Sequence, residues 1–99
     1  MVYMINATLD FKLTEDRARF VPLLQAHRKR SLENEVGTLR FDFSLSIEDD
    51  KQLLLQELYE SREAFDAHWN GDSSKTLLGE CEAMDIEAEI KGWHGAMVD

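Results

Sequence analysis

The chain has 99 residues and a mass of 11.5 kDa, enough for one domain and too little for an enzyme with a separate cofactor module. With 43% hydrophobic and 31% charged residues, its composition is that of a globular protein and excludes disordered and fibrous classes. The single cysteine, Cys81, excludes an internal disulfide and a cysteine-based metal cluster. Because no apolar run is long enough to span a membrane and the N-terminus lacks a signal-peptide pattern, we expect a cytoplasmic protein.

The net charge of −9 is concentrated in the second half of the chain. Residues 1–49 carry seven basic and eight acidic side chains, whereas residues 50–99 carry four basic and twelve acidic ones. Binding to phosphate backbones or anionic lipids needs a basic surface, so we predict neither nucleic acid nor a membrane as a partner. No repeat or linker interrupts the sequence, which predicts one domain over residues 1–99, with its core at about residues 2–90 and a tail at 91–99.

The first two predicted elements are a strand and a long helix. Residues 2–11 are apolar on both faces and rich in β-forming residues, which is typical of a doubly buried strand. Thr14 is a candidate N-cap for a helix over residues 15–34, in which Pro22 predicts a kink or a late start. One stripe of this helix, spaced to face the sheet, consists of Phe20, Leu24, His27 and Ser31.

Two strands are predicted next. Residues 38–47 alternate between apolar and polar side chains, which indicates a half-exposed strand. Its apolar face is predicted to carry Leu39, Phe41, Phe43 and Leu45. Residues 52–60 are predicted to form a second strand that is apolar on both faces.

The remaining elements are two helical segments and a last strand. Ser61 is a candidate N-cap for a short helix through about residue 70, and a further helical segment covers residues 73–83. The inner side of the short helix is predicted to carry Ala64, Phe65, His68 and Trp69. Residues 85–90 alternate as a final strand should.

This order predicts an α+β fold of the ferredoxin-like βαββαβ type, with a four-stranded antiparallel sheet and helices on one face. The first and third strands should be central, since they read as doubly buried. The uncovered sheet face is a liability that a second copy of the chain would cover, so we expect a homodimer. Residues 39–45 and 91–99 are the expected contributors, the tail packing across the partner through Trp93, Met97 and Val98.

Histidines and two buried polar residues are the candidates for chemistry. His27 and His68 lie on the helices that cover one small sheet, so they are either satisfied core residues or parts of a shared pocket that moves protons near neutral pH. His94 is expected to pack or to lie in solvent. Asn6 either braces the backbone or faces a polar ligand. Glu57 should meet Arg40, a histidine or a backbone donor, with a structural role and direct chemistry both open.

Two stretches carry a family resemblance. Residues 31–43, SLENEVGTLRFDF, resemble S-L-x-x-E-P-G-x-x-x-F-D-V, and residues 55–68, LQELYESREAFDAH, resemble L-Y-E-x-[WY]-x-S-x-x-A-F-x-A-H. Both are signatures of the antibiotic biosynthesis monooxygenase (ABM) domain family, and the resemblance covers about residues 2–90. It implies a dimeric α+β barrel with a ligand cleft between sheet and helices. Val36 replaces the proline of the first signature, and the second histidine that often follows the position of His68 is absent.

The resemblance implies a small oxygenase, without cofactor or metal, that oxidises an electron-rich aromatic such as a quinol or polyketide phenol with molecular oxygen. His68 or His27 would be the base, and Glu57 would orient a histidine. The predicted substrate-binding residues are Asn6 and Tyr59, which would position the oxygens, and Phe41 and Trp69, which would line the pocket.

Two alternatives stay open. The first is an isomerase that uses the same cleft for proton transfer next to a carbonyl, as in the quorum-signal-processing relatives of the family. A phosphorylated substrate would then need a basic anchor, for which Arg40 is the strand-borne candidate. The second is a dimer that binds a small molecule without catalysis, since a fold alone does not determine a function.

Overall fold

The computed structural model describes residues 1–98, so the last residue of the predicted tail, Asp99, lies outside the described residues. The elements follow in the order β1 (Tyr3–Phe11), α1 (Thr14–Asn34), β2 (Thr38–Leu45), β3 (Gln52–Tyr59), α2 (Arg62–Trp69), α3 (Asp72–Ala83) and β4 (Ala88–Ala96). The strands form one antiparallel sheet in the order β2-β3-β1-β4. The predicted α+β ferredoxin-like fold is confirmed, with the first and third strands at the centre.

Alternation along the strands gives the sheet two different faces. On β1 the side chains of Ile5, Ala7, Leu9 and Phe11 are buried beneath the helices, whereas the intervening residues point to the helix-free face. The strand register aligns one row of helix-facing residues across all four strands, formed in order by Phe41, Glu57, Ile5 and His94. The main core cluster lies further along β1, around Leu9 and Phe11.

Helix α1 begins earlier than Pro22 suggested and is not capped as predicted. Leu13 is the N-cap residue, with an extended backbone, and Thr14 is already helical, so its hydroxyl caps nothing. The helix runs through Pro22 without a late start. Burial of Asp16 and Phe20 in the preceding turns anchors the first part of the helix, which outweighs the one backbone donor that proline removes. The predicted stripe from Phe20 to Ser31 is buried.

Strand β2 departs from simple alternation. The register shifts between Thr38 and Arg40, so Leu39 is the extra residue of an irregularity and is half-exposed, while Thr38 is buried in its place. Phe41 lies on the buried face as predicted, but Leu45 is 44% exposed and the strand ends there instead of at residue 47.

The largest correction concerns the C-terminal segment. Residues 85–90 were expected as the strand and 91–99 as a tail, but β4 spans Ala88–Ala96 and pairs with β1 along its whole length. Asp85 has a positive φ of 55°, so the chain turns there and Ile86 packs into the core before the strand begins. Most of the predicted tail is therefore an edge strand of its own subunit.

Of the two remaining helices, α2 packs over β2 and β3, whereas α3 packs beside the other helices. The Ser61 hydroxyl accepts a hydrogen bond from the Ala64 amide at 3.1 Å, which confirms the predicted cap of α2. Helix α3 packs against α1, antiparallel to it, since Ser73 lies near Arg30 at one end and Met84 near Arg19 at the other. No helix within residues 1–98 is long and apolar enough to cross a membrane.

Candidate functional site

A cavity of about 590 Å³ lies between the helix-facing side of the sheet and the three helices. Three histidines, one carboxylate and a predominantly apolar wall line it. It opens between α2 and α3 on one side and β4 on the other, because the helices pack over β1, β2 and β3 and leave the edge strand uncovered. The exposed residues at this opening are Trp69, Leu78, Ile90 and His94.

His68 is held by a carboxylate that the sequence did not point to. Its Nδ1 lies 2.7 Å from Oε1 of Glu35, the residue that ends α1. The same oxygen accepts a hydrogen bond from the Thr38 hydroxyl at 2.7 Å, so the carboxylate is fixed from two sides. Because a carboxylate accepts only, Nδ1 carries the proton and Nε2 is left as the basic nitrogen.

His27 has a different environment on the neighbouring helix. Its Nδ1 lies 2.9 Å from the Ser73 hydroxyl, which also accepts a hydrogen bond from Nε of Arg30 at 2.9 Å. Burial, helped by the nearby charges of His68 and Arg30, lowers the pKa of His27 from 6.5 to about 4. His27 is therefore neutral near pH 7 and suits a hydrogen-bonding role rather than a charged one.

The two imidazoles meet over one aromatic ring. The ring centroids of His27 and His68 are 5.0 Å apart, and Phe41 lies 5.2 Å from the first and 5.9 Å from the second. Within residues 1–98, Nε2 of His27 and Nε2 of His68 have no hydrogen-bond partner. Neither of these two nitrogens is fully buried. Both nitrogens are therefore accessible from the cavity.

Glu57 was expected to orient a histidine, but it instead accepts a hydrogen bond from the hydroxyl of Tyr59. Burial raises the pKa of Glu57, although the Tyr59 hydrogen bond and nearby His68 oppose the shift. Burial and the adjacent Glu57 also raise the pKa of Tyr59, so the phenol stays protonated and donates. Tyr59 is completely buried behind Glu57 and does not line the cavity, so it does not contact a substrate there.

Two predicted substrate-binding residues lie on the wrong face of the sheet. Asn6 alternates with the cavity-lining residues of β1, and its Nδ2 lies 3.6 Å from the sulfur of Met4. Arg40 pairs in register with Leu58, is exposed, and forms an ion pair with Asp42. Because alternate strand residues point to opposite faces, neither side chain reaches the cavity.

The cavity-lining members of the predicted set are His27, His68, Glu57, Phe41 and Trp69. Trp69 is 54% exposed, which places it at the opening instead of in the core. Their roles in binding or catalysis stay predictions. Within residues 1–98, no Lys or Arg lines the cavity, and no group of three or more His, Cys, Asp or Glu side chains could hold a metal ion.

Sequence reasoning missed Glu35 and His94. His94 lines the cavity opening from β4, where its Nδ1 lies 2.8 Å from the Tyr3 hydroxyl and its ring meets Phe65 edge-on at 5.4 Å. Its place in the segment expected as a tail concealed it. Glu35 was visible as the glutamate of the first signature stretch, but nothing local in the sequence showed that it reaches His68.

Comparisons with known protein families and solved structures agree with this architecture. The family description antibiotic biosynthesis monooxygenase matches residues 3–78, which is most of the chain. The chain belongs to the antibiotic biosynthesis monooxygenase family. No curated protein matches the sequence.

Several solved structures share the fold at low sequence identity. A Nitrosomonas europaea protein named after the same family is 23% identical, with a TM-score of 0.84 over 98% of this chain and 90% of that one. A Caulobacter crescentus protein, also named after the family, is 20% identical, with a TM-score of 0.87 over 99% and 91%. Rv0793 from Mycobacterium tuberculosis is 20% identical, with a TM-score of 0.82 over 100% and 97%. At these identities the likeness establishes the fold alone.

Proposed function

We propose that this ABM-family protein is a cofactor-independent monooxygenase that oxidises an electron-rich phenol or quinol with molecular oxygen, and that it acts as a homodimer. The observation that carries the proposal is the Glu35–His68 pair, whose free Nε2 faces an otherwise apolar cavity. A carboxylate that holds Nδ1–H orients the ring and stabilises the imidazolium that forms when Nε2 takes a proton.

The proton transfer is the step that this pair would perform. The phenolic O–H bond breaks, its proton goes to Nε2 of His68, and the electron pair remains on the phenolate oxygen. The phenolate gives one electron to oxygen, and the resulting radical and superoxide combine to form a C–O bond. The proton on His68 moves to the peroxide, giving a hydroperoxide on the ring carbon. The O–O bond and the C–H bond of that carbon then break, the departing hydroxide takes the ring proton as water, and the quinone remains. One phenol and one oxygen molecule thus give one quinone and one water.

The other cavity residues have supporting roles in this scheme. Neutral His27 offers Nε2 for a hydrogen bond to a second oxygen of the substrate. Phe41 lies against both imidazoles and provides a flat apolar surface for the substrate ring. Trp69 stands at the opening and shields the reacting atoms from water, which strengthens the electrostatic interactions within the site.

The helix-free face of the sheet supports the proposed homodimer. Apolar side chains of three strands lie on it, namely Met4, Leu54, Leu58 and Trp93. Trp93 is 57% exposed within one subunit and lies across Gly95, whose lack of a side chain leaves room for the indole. Burying this face against a second copy would shield it from water and remove an aggregation hazard.

No observation favours the isomerase with a phosphorylated substrate. Its expected anchor, Arg40, lies on the opposite face, and the cavity residues described above include no cation. A phosphate placed there would be left without a counter-charge near Glu57.

The test is oxygen uptake by the purified protein with a panel of quinols and phenols. His68→Asn should lower kcat by about a hundredfold or more, the usual contribution of a general base. Asp66→Asn, an exposed change on the same helix, is the matched control and should leave kcat unchanged. The proposal fails if no substrate is consumed faster than without protein, or if His68→Asn is as active as the wild type.

A further inference from the structure

The cavity has a polar end and an apolar end. The residues of three elements change from polar to apolar in the same direction along it. On α1, His27 lies at one end and Phe20 at the other, seven residues or roughly 10 Å apart. On α3, Ser74 lies at the histidine end and Cys81 among the core apolar residues, again seven residues apart.

Strand β1 shows the same gradient on the floor of the cavity. Ile5 lies in the row that contains Glu57 and His94, whereas Phe11 packs against Phe20 with ring centroids 5.2 Å apart. Apart from the Cys81 thiol and the indole of Trp69 at the opening, every polar side chain that lines the cavity within residues 1–98 belongs to the first end. The opening along β4 runs from His94 to Ile90, in the direction from the polar end to the apolar end of the cavity.

We propose that the natural substrate is amphiphilic, with a phenol or quinol ring that faces Nε2 of His27 and Nε2 of His68 and an unbranched or branched alkyl tail that extends toward Phe20 and Cys81. This inference rests on the proposed function and deepens it, because it names the class of substrate. A compact hydroxylated ring alone would leave the apolar end unfilled, and apolar surface gains free energy when a tail replaces water there. The cavity volume of about 590 Å³ accommodates both parts.

The head group is inferred to be uncharged when it binds. No cation faces the cavity in the described chain, and Glu57 and the Glu35–His68 pair already place carboxylates at its polar end. A carboxylate head group there would meet like charge without a partner, so a fatty acid of the same length is the wrong ligand. A phenolic hydroxyl instead donates to Nε2 of His68.

The first experiment measures binding to the full-length protein without oxygen, so that no turnover occurs. Calorimetry with 4-alkylphenols that bear a methyl, propyl, hexyl or nonyl chain should show Kd falling by up to about fourfold for each added methylene, until the apolar end is filled. Decanoate, whose alkyl chain also has nine carbons, should bind at least about tenfold more weakly than the nonyl compound.

A variant then locates the tail. Cys81→Phe fills the apolar end and should abolish the gain from the longer chains while leaving the Kd of the methyl compound within about twofold of the wild-type value. Ala83→Phe places the same side chain at an exposed position of the same helix and should leave the whole series unchanged. If Cys81→Phe does not fold, the wild-type series alone decides.

The outcomes separate this inference from the proposed function. A Kd that is independent of chain length, or tighter binding of decanoate, overturns the amphiphilic substrate even when short quinols are oxidised. Chain-length-dependent binding without oxygen uptake supports the amphiphilic ligand and refutes the oxygenase. A chain-length gain that survives in Cys81→Phe places the tail elsewhere and overturns the proposed orientation.

Discussion

Replacing His27 with glutamine should remove a defined part of the pH dependence of stability. In the folded chain, burial lowers the pKa of His27 from 6.5 to about 4, and the imidazole lies 5.0 Å from the ring of His68 and close to Arg30. The unfolded chain therefore binds more protons than the folded chain between those two pH values. Stability that is present above pH 6.5 is consequently lost as the pH falls toward 4.

The size of the effect follows from the same values. Between about pH 8 and about pH 5, a histidine with these two pKa values costs the folded state at most about 2 kcal/mol. The cavity is open to water on one side, and screening lowers this figure, so we expect about 1 kcal/mol. His27→Gln keeps a polar side chain and cannot gain a proton, so it should lose that much less stability than the wild type over the same interval.

Urea unfolding of both proteins at the two pH values measures this difference. The protein concentration must be the same throughout, because a dimer makes the midpoint depend on it. Any constant cost of the substitution cancels in the comparison, as do the carboxylates that titrate in both proteins. Equal loss of stability in wild type and variant would refute the reasoning. An NMR titration that places the pKa of His27 near 6.5 would then show that burial does not lower it.

Three further predictions concern the site, the packing and the assembly. Glu35→Gln should lower kcat on quinols about tenfold or more without raising KM, because the base loses its carboxylate, whereas exposed Glu33→Gln should not change either constant. Gly37→Ala should destabilise the protein by about 1–3 kcal/mol in thermal or urea unfolding, since its Cβ would lie 2.5 Å from another Cβ, while Gly79→Ala, with open space around it, should stabilise by about 0.5–1 kcal/mol. Trp93→Ser should raise the dimer dissociation constant in sedimentation at least about tenfold, and an unchanged constant would place the interface elsewhere.

The elements with a clear period could be predicted from the sequence. Burial every three or four residues along α1 placed His27 toward the sheet, and the capped start of α2 placed His68 there too, so their proximity followed from the topology. The face on which Asn6 lies could not be predicted, since β1 is apolar on both sides and only the packed helices distinguish its faces.

The last strand shows where local preference fails. Gly92 and Gly95 have low strand propensity and interrupt the alternation, which made residues 91–96 resemble a tail. Hydrogen bonds to β1 stabilise the strand despite this low local propensity, and they extend it to Ala96. His94 enters the cavity wall only through this long-range pairing, so its place there was beyond a reading of neighbouring residues.

The two stretches that carry the family resemblance pack against each other in the structure. Each could be recognised from its own residues, but the contacts between them could not. The first supplies Glu35 and Gly37, and the second supplies Ala64 and His68. Gly37 has no side chain where α2 approaches, and a Cβ there would lie 2.5 Å from that of Ala64. This close contact brings α2 to the end of α1, where Glu35 reaches His68 at 2.7 Å. The glycine thus sets the distance over which the carboxylate orients the base, so a packing defect at residue 37 should also weaken the chemistry at residue 68.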